Sequence, residues 1–119
     1  MNPISQIAGL RAAVGVGAYL APNLTGRLFG LDPEGNPQAS YLARLFAIRD
    51  LALAVGVLSS AGDARRRWIT LGMACDAGDA VAAYLSGRDG SLPTPAAVLT
   101  GATALSAVGM GVAALRQAA

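Results

Sequence analysis

Apolar positions run along the chain in four long blocks, at residues 4–21, 39–60, 68–86 and 95–115. Each block is near the ~20 residues that a helix needs to span a bilayer. The breaks between them carry turn chemistry. Leu31-Asp32-Pro33-Glu34-Gly35-Asn36-Pro37 holds two prolines and a glycine, and Ala61-Gly62-Asp63 precedes three arginines. Ser86-Gly87-Arg88-Asp89-Gly90-Ser91 makes the third break. Pro22 ends the first block, and Pro95 opens the fourth at a favourable first-turn position. Short connections between long helices predict antiparallel neighbours. The expected fold is therefore all-α, a four-helix up-down bundle forming one domain over residues 1–119. Leu24, Leu28 and Leu31 fall on one face with Arg27 at its edge, which adds a short interfacial helix between the first two blocks.

Composition moves this bundle into a membrane. Apolar residues make up 54% of the 119 positions and charged residues 13%, about half of the ~25% typical of soluble domains. A small soluble bundle covers its large surface with charge, and this chain has little to offer. The expected structure is thus a transmembrane bundle with the lipid bilayer as its partner. An alanine-rich soluble bundle is the competing reading, since alanine is only weakly apolar. Nothing basic precedes the first block and Arg11 interrupts it, which argues against a cleaved signal. Arg65, Arg66, Arg67 and Arg116 fall on the side shared by both termini, against Arg27 and Arg88 opposite. The positive-inside rule then places a multi-pass protein in the inner membrane with both termini cytoplasmic. Trp68, Tyr84 and Tyr41 stand at block ends, where amphipathic rings suit the interface.

Several chemistries drop out at once. The chain has no histidine and one cysteine, so a disulfide framework, a His-based metal site and a Ser-His or Cys-His nucleophile pair are excluded. A net charge of +2, without basic runs interleaved with aromatics, gives no nucleic-acid footprint. No cofactor-binding motif stands out: Gly15-x-Gly17 follows no strand, and Leu20 occupies the place of a third glycine. Cys75 reads as a small packing residue.

What remains are charges where charges are expensive. Arg11, Arg44, Arg49, Asp50, Asp76 and Asp79 lie within the four blocks and sum to zero. A central Arg or Asp costs roughly 2.5–3.5 kcal/mol on insertion scales, so such groups face the bundle interior and pair there. Arg49, Asp50, Asp76 and Asp79 all fall near mid-block. Gly72, Cys75, Asp76, Asp79 and Ala83 share a stripe of the third long helix, and Phe46, Arg49 and Asp50 share an arc of the second. Antiparallel packing sets Arg49 against one or both of Asp76 and Asp79. Arg11 and Arg44 sit closer to block ends, where either can snorkel, although Arg11 shares a face with Ala8, Gly15 and Ala18. Ala74, Gly78 and Ala82, like Thr103, Ala107 and Gly111, repeat every four positions and read as internal packing faces. The fourth block has no charge before Arg116 and is the expected lipid- or partner-facing helix.

The run Arg27-Leu28-Phe29-Gly30-Leu31-Asp32-Pro33, then Tyr41-Leu42-Ala43-Arg44-Leu45-Phe46-Ala47-Ile48-Arg49-Asp50, then Asp76-Ala77-Gly78-Asp79 resembles a family of small, uncharacterised bacterial membrane proteins of actinobacterial type. The resemblance covers most of the chain and implies a four-span fold. It implies no activity.

Three functions fit the constellation. In the first, a structural or accessory membrane protein, Arg49, Asp50, Asp76 and Asp79 form a buried network that sets helix register. In the second, the protein is a proton-coupled or small-molecule transporter, acting as an oligomer, with intramembrane carboxylates as proton carriers. In the third, Asp76 and Asp79 serve as the acid and base of an isomerase, cyclase or epoxide-opening enzyme, Arg49 stabilising developing negative charge. That enzyme needs an apolar cavity of several hundred Å³ touching both aspartates. An apolar small molecule or a partner membrane protein is the corresponding ligand.

Overall fold

The computed structural model describes residues 2–118, which form five α-helices and no strand. They are α1 (Pro3–Leu20), α2 (Pro22–Leu28), α3 (Ala39–Leu58), α4 (Gly62–Asp89) and α5 (Thr94–Ala118). The four long helices match the four apolar blocks, and α2 supplies the short extra helix. The third block underestimates its helix: α4 starts at Gly62, so Arg65, Arg66 and Arg67 belong to its first turns rather than to a loop.

The long helices alternate in direction, as three end-to-end contacts show. The Ile4 amide at the start of α1 donates to Gln117 Oε1 near the end of α5 at 2.9 Å. Arg44 Nε near the start of α3 donates to the Tyr19 carbonyl at the end of α1 at 3.0 Å. Arg66 Nη1 at the start of α4 donates to the Leu115 carbonyl near the end of α5 at 2.8 Å. Packing runs round the ring α1–α3–α4–α5 and back to α1, with α2 laid against α1 and α3. The tightest pairs are α1 with α3 and α4 with α5, so the bundle is two helical hairpins face to face.

Helix ends are closed by their own sequence. Asn2 caps α1 by accepting the Ser5 amide at 2.8 Å, ahead of Pro3 at the first turn. Replacing Asn2 with alanine is expected to cost about 1 kcal/mol, read as a lowered midpoint of thermal unfolding. Gly90 ends α4 in the left-handed region at φ +85°, letting the Leu92 amide return to the Ser86 carbonyl. Arg65 Nε caps the far end of α3 by donating to the Val57 carbonyl at 3.0 Å. Two of the three consecutive arginines thus close orphaned helix carbonyls. In the α2–α3 connection Arg27 donates to Glu34, and this hydrogen bond holds the Glu34 carboxyl below its ordinary range.

Among the described residues, nine of the 14 buried hydrophobic ones are alanine, and the largest fully buried side chains are Ile7 and Val57. Many large apolar residues point away from the axis: Leu20 is 75% exposed, and Leu28, Tyr41, Leu42, Val55, Val98 and Leu105 are each more than 60% exposed. Arg11, Asp50 and Asp76, by contrast, are buried. Of the described helices, α5 alone is long and apolar enough to cross a membrane by length and composition. The ionisable residues in α1, α3 and α4 dilute their hydropathy, so the expected four spans reduce on this criterion to one candidate helix.

The small-residue stripes divide. Thr103, Ala107 and Gly111 face inward, and a Cβ on Gly111 would run into Met73 of α4. Ala74, Gly78 and Ala82 are exposed, which corrects their expected role as an internal packing face. Asp76 and Asp79 turn one face of α4 inward, and a stripe two positions from Asp76 must then turn out. The Trp68 ring lies over Gly56 of α3, where a Cβ would collide with it.

Candidate functional site: an ionic layer beneath an apolar chamber

Along its axis the bundle has three layers. At the end where α1 begins and α5 finishes, Ile4, Ile7, Ala8, Val57, Ile69, Ala107 and Ala114 make an apolar core. The ionic residues come next. Beyond them, at the end carrying α2, the helices part around a cavity.

The ionic layer has two bidentate pairs and one carboxylate between them. Arg11 of α1 reaches across to Asp76 of α4, with Nη1–Oδ1 at 3.1 Å and Nη2–Oδ2 at 2.6 Å. Arg49 of α3 grips Asp79 in the same way at 3.0 and 2.6 Å. The first pair is sealed, with side chains 4% and 6% exposed, while the second is about a third exposed. Asp50 stands between the two arginines. Its Oδ1 lies 3.5 Å from Arg49 Nη2 and 3.8 Å from Arg11 Nη1. No described residue hydrogen-bonds its Oδ2.

Local packing explains why these groups fit. Gly72 lies one turn before Asp76 and leaves room for the Arg11 guanidinium, which would stand 2.5 Å from a Cβ there. Gly15 lets α1 close on α3, where Leu51 and the Ala47 carbonyl fill its surface. The Arg49 guanidinium lies over the Phe46 ring, 4.5 Å from its centroid, and its Nε is buried with no hydrogen-bond partner.

The four residues expected to carry chemistry, Arg49, Asp50, Asp76 and Asp79, are indeed brought together. Of the two aspartates expected opposite Arg49 it takes one, Asp79, because Asp76 is held by Arg11. Arg11 is the member that the expected site lacked, although its alanine and glycine face was a legible signal: Ala8, Arg11, Gly15 and Ala18 are all buried. Arg44 stays outside, bonded to Tyr19 and 5.9 Å from the centre of its ring. Cys75 is a half-buried free thiol. Among the described residues no cluster of three or more His, Cys, Asp or Glu is placed to hold a metal ion.

Above this layer the cavity measures about 400 Å³, within the range of small-molecule pockets. Its floor includes Arg11, Asp50, Asp76 and Asp79, and its walls are largely apolar, with Val14, Leu42, Phe46 and Ala104 among them. Phe29 and Leu31, from the end of α2 and the residues after it, line its far end. Comparisons of the chain with protein-family models, with curated proteins and with solved structures return no significant match.

Proposed function

We propose that this chain is a small multi-pass membrane protein, structural or accessory in role, in which the two bidentate Arg–Asp pairs hold four spanning helices in register. One observation carries the reading: many large apolar side chains, Leu20, Leu28, Leu42, Val55, Val98 and Leu105 among them, point outward, while Arg11, Asp50 and Asp76 are buried. Water would favour the reverse arrangement, whereas a hydrocarbon solvent favours this one. Helix length fits as well. At 1.5 Å per residue, α1 and α3 extend about 27 and 30 Å, close to the ~30 Å hydrocarbon thickness. The arginine-rich end would lie in the cytoplasm with both termini, and kinship with the small actinobacterial-type proteins rests on the same Arg-Asp and Asp-x-x-Asp pairs.

Membrane fractionation tests this directly. The expressed protein is expected to stay in the pellet through an alkaline carbonate wash. Fluorescent-protein fusions at either terminus are expected to glow, as they do only on the cytoplasmic side. Release into the supernatant would overturn the membrane assignment, and a dark fusion at either end would overturn the orientation.

The cavity favours a second reading, in which the protein handles an apolar small molecule as a transporter or an enzyme. Its volume and its contact with both Asp76 and Asp79 meet the requirement stated for that chemistry. The pairing narrows the roles. Asp76 and Asp79 are each engaged on both oxygens by an arginine. Asp50 makes only the longer contacts, at 3.5 and 3.8 Å through Oδ1, and is the carboxylate best placed to meet a ligand.

A further inference from the structure

The ionic layer does not balance. Arg11 and Arg49 supply two positive charges, and Asp50, Asp76 and Asp79 supply three negative ones. Both guanidinium groups spend their short contacts on Asp76 and Asp79, at 2.6 Å each. Asp50 is left with ion-pair distances of 3.5 and 3.8 Å and an Oδ2 that no described residue hydrogen-bonds. It is also 95% buried, being 5% exposed, and it lines the floor of the cavity. An unbalanced buried charge in a low-dielectric site is costly, and its cost falls when a counter-charge arrives.

From this we infer that the chamber is a binding site for an amphipathic organic monocation, an amine or quaternary onium on an apolar body, whose charge pairs with Asp50. The inference rests on the ligand-handling reading above and names its ligand class. Each part of the chamber meets one part of such a molecule. The roughly 400 Å³ volume admits a body of several rings or a short branched chain. The walls offer it apolar contact, from Val14, Leu42, Phe46 and Ala104 among others. Charge selects the sign. An anion would meet the excess carboxylate, and a neutral molecule would leave it uncompensated. A dication would over-neutralise a layer that is short by one.

Three probes of similar shape and different charge separate these cases: tetraphenylphosphonium, its neutral relative triphenylphosphine oxide, and tetraphenylborate. Binding is measured by equilibrium dialysis against purified protein in dodecyl maltoside. Saturable binding of tetraphenylphosphonium is expected, at least tenfold tighter than the neutral probe, with none of the borate. Asp50→Asn keeps the shape and removes the odd charge. It is expected to weaken the cation at least tenfold and leave the neutral probe unchanged, with an unaltered helical circular dichroism spectrum and gel-filtration peak. Ala104→Phe, which projects a ring from α5 into the chamber, is expected to abolish binding of both. If the neutral probe binds as tightly as the cation and Asp50→Asn changes neither, a proton already cancels the odd charge. The cation assignment then falls while the chamber stands. If no probe binds to folded protein, the ligand-handling reading falls with it.

Discussion

Replacing Arg11 with methionine is expected to destabilise the bundle by about 3–5 kcal/mol, the range for removing one partner of a buried ion pair. Arg11 is 3% exposed and crosses the bundle to hold Asp76 on both oxygens. Without it, Asp50, Asp76 and Asp79 face Arg49 alone, and the excess of one negative charge becomes two. Asp76 is only 4% exposed, so bulk solvent compensates little of that excess. Thermal unfolding in detergent, followed by helical signal and by loss of the monodisperse peak, would show the midpoint falling sharply. The double replacement Arg11→Met with Asp76→Leu removes both charges and restores the original excess of one. It is expected to recover most of the loss, because apolar groups of similar volume often replace a buried pair without penalty. A double mutant as unstable as the single one would mean that Arg11 acts through its aliphatic packing and not through its charge. Arg49→Met is expected to cost less, since the Arg49–Asp79 pair is about a third exposed and can be partly resolvated.

The same substitution at two glycines of α4 is expected to have opposite signs. Alanine is a better helix former than glycine by about 1 kcal/mol, so both changes start with a gain. At Gly78 nothing lies within 4 Å of the added Cβ, and Gly78→Ala is expected to stabilise by about 0.5–1 kcal/mol. At Gly72 the Cβ would stand 2.5 Å from Arg11 Nη2 and 3.0 Å from its Cζ. A flexible arginine would swing aside. This one is clamped by Asp76 at 3.1 and 2.6 Å, so either the clamp opens or the helices part. Gly72→Ala is therefore expected to lose about 1–3 kcal/mol despite its better helix propensity. Measured midpoints moving the same way at both sites would refute the close approach of Arg11 to α4. Should Gly78→Ala instead destabilise, the exposed Ala74–Gly78–Ala82 stripe would have a neighbour in the assembled protein.

The helices were legible because their signals are local. Pro22, Pro37 and Pro95 interrupt or open apolar runs, and Asp89-Gly90 ends one, each through backbone geometry that acts within a few residues. Helix faces were harder. Gly72, Asp76, Asp79 and Ala83 share an arc at 100° per residue, and that arc does turn inward. Ala74, Gly78 and Ala82 carry an equally regular spacing and turn outward. Spacing shows which residues share a face, while the neighbouring helices determine which face is covered. Trp68 shows the same limit: its place near a helix end is legible, and only the fold shows that its ring fills the recess left by Gly56 on α3.

The sequence by itself determined that the chain is helical, that it has four long helices and one short one centred on its apolar blocks, and that Arg49, Asp50, Asp76 and Asp79 lie at similar depth. Periodicity, turn residues and the cost of burying charge suffice for that. Only the tertiary structure decided the partners. Arg11 crosses the bundle to Asp76, Arg49 is left to Asp79, and Asp50 keeps only the longer contacts, 3.5 Å to Arg49 and 3.8 Å to Arg11. A guanidinium on a long side chain can reach several carboxylates at one depth, and register, rotamer and the gap at Gly72 select among them. The chamber likewise belongs to no single segment. It forms where α1, α2, α3, α4 and α5 each contribute lining residues.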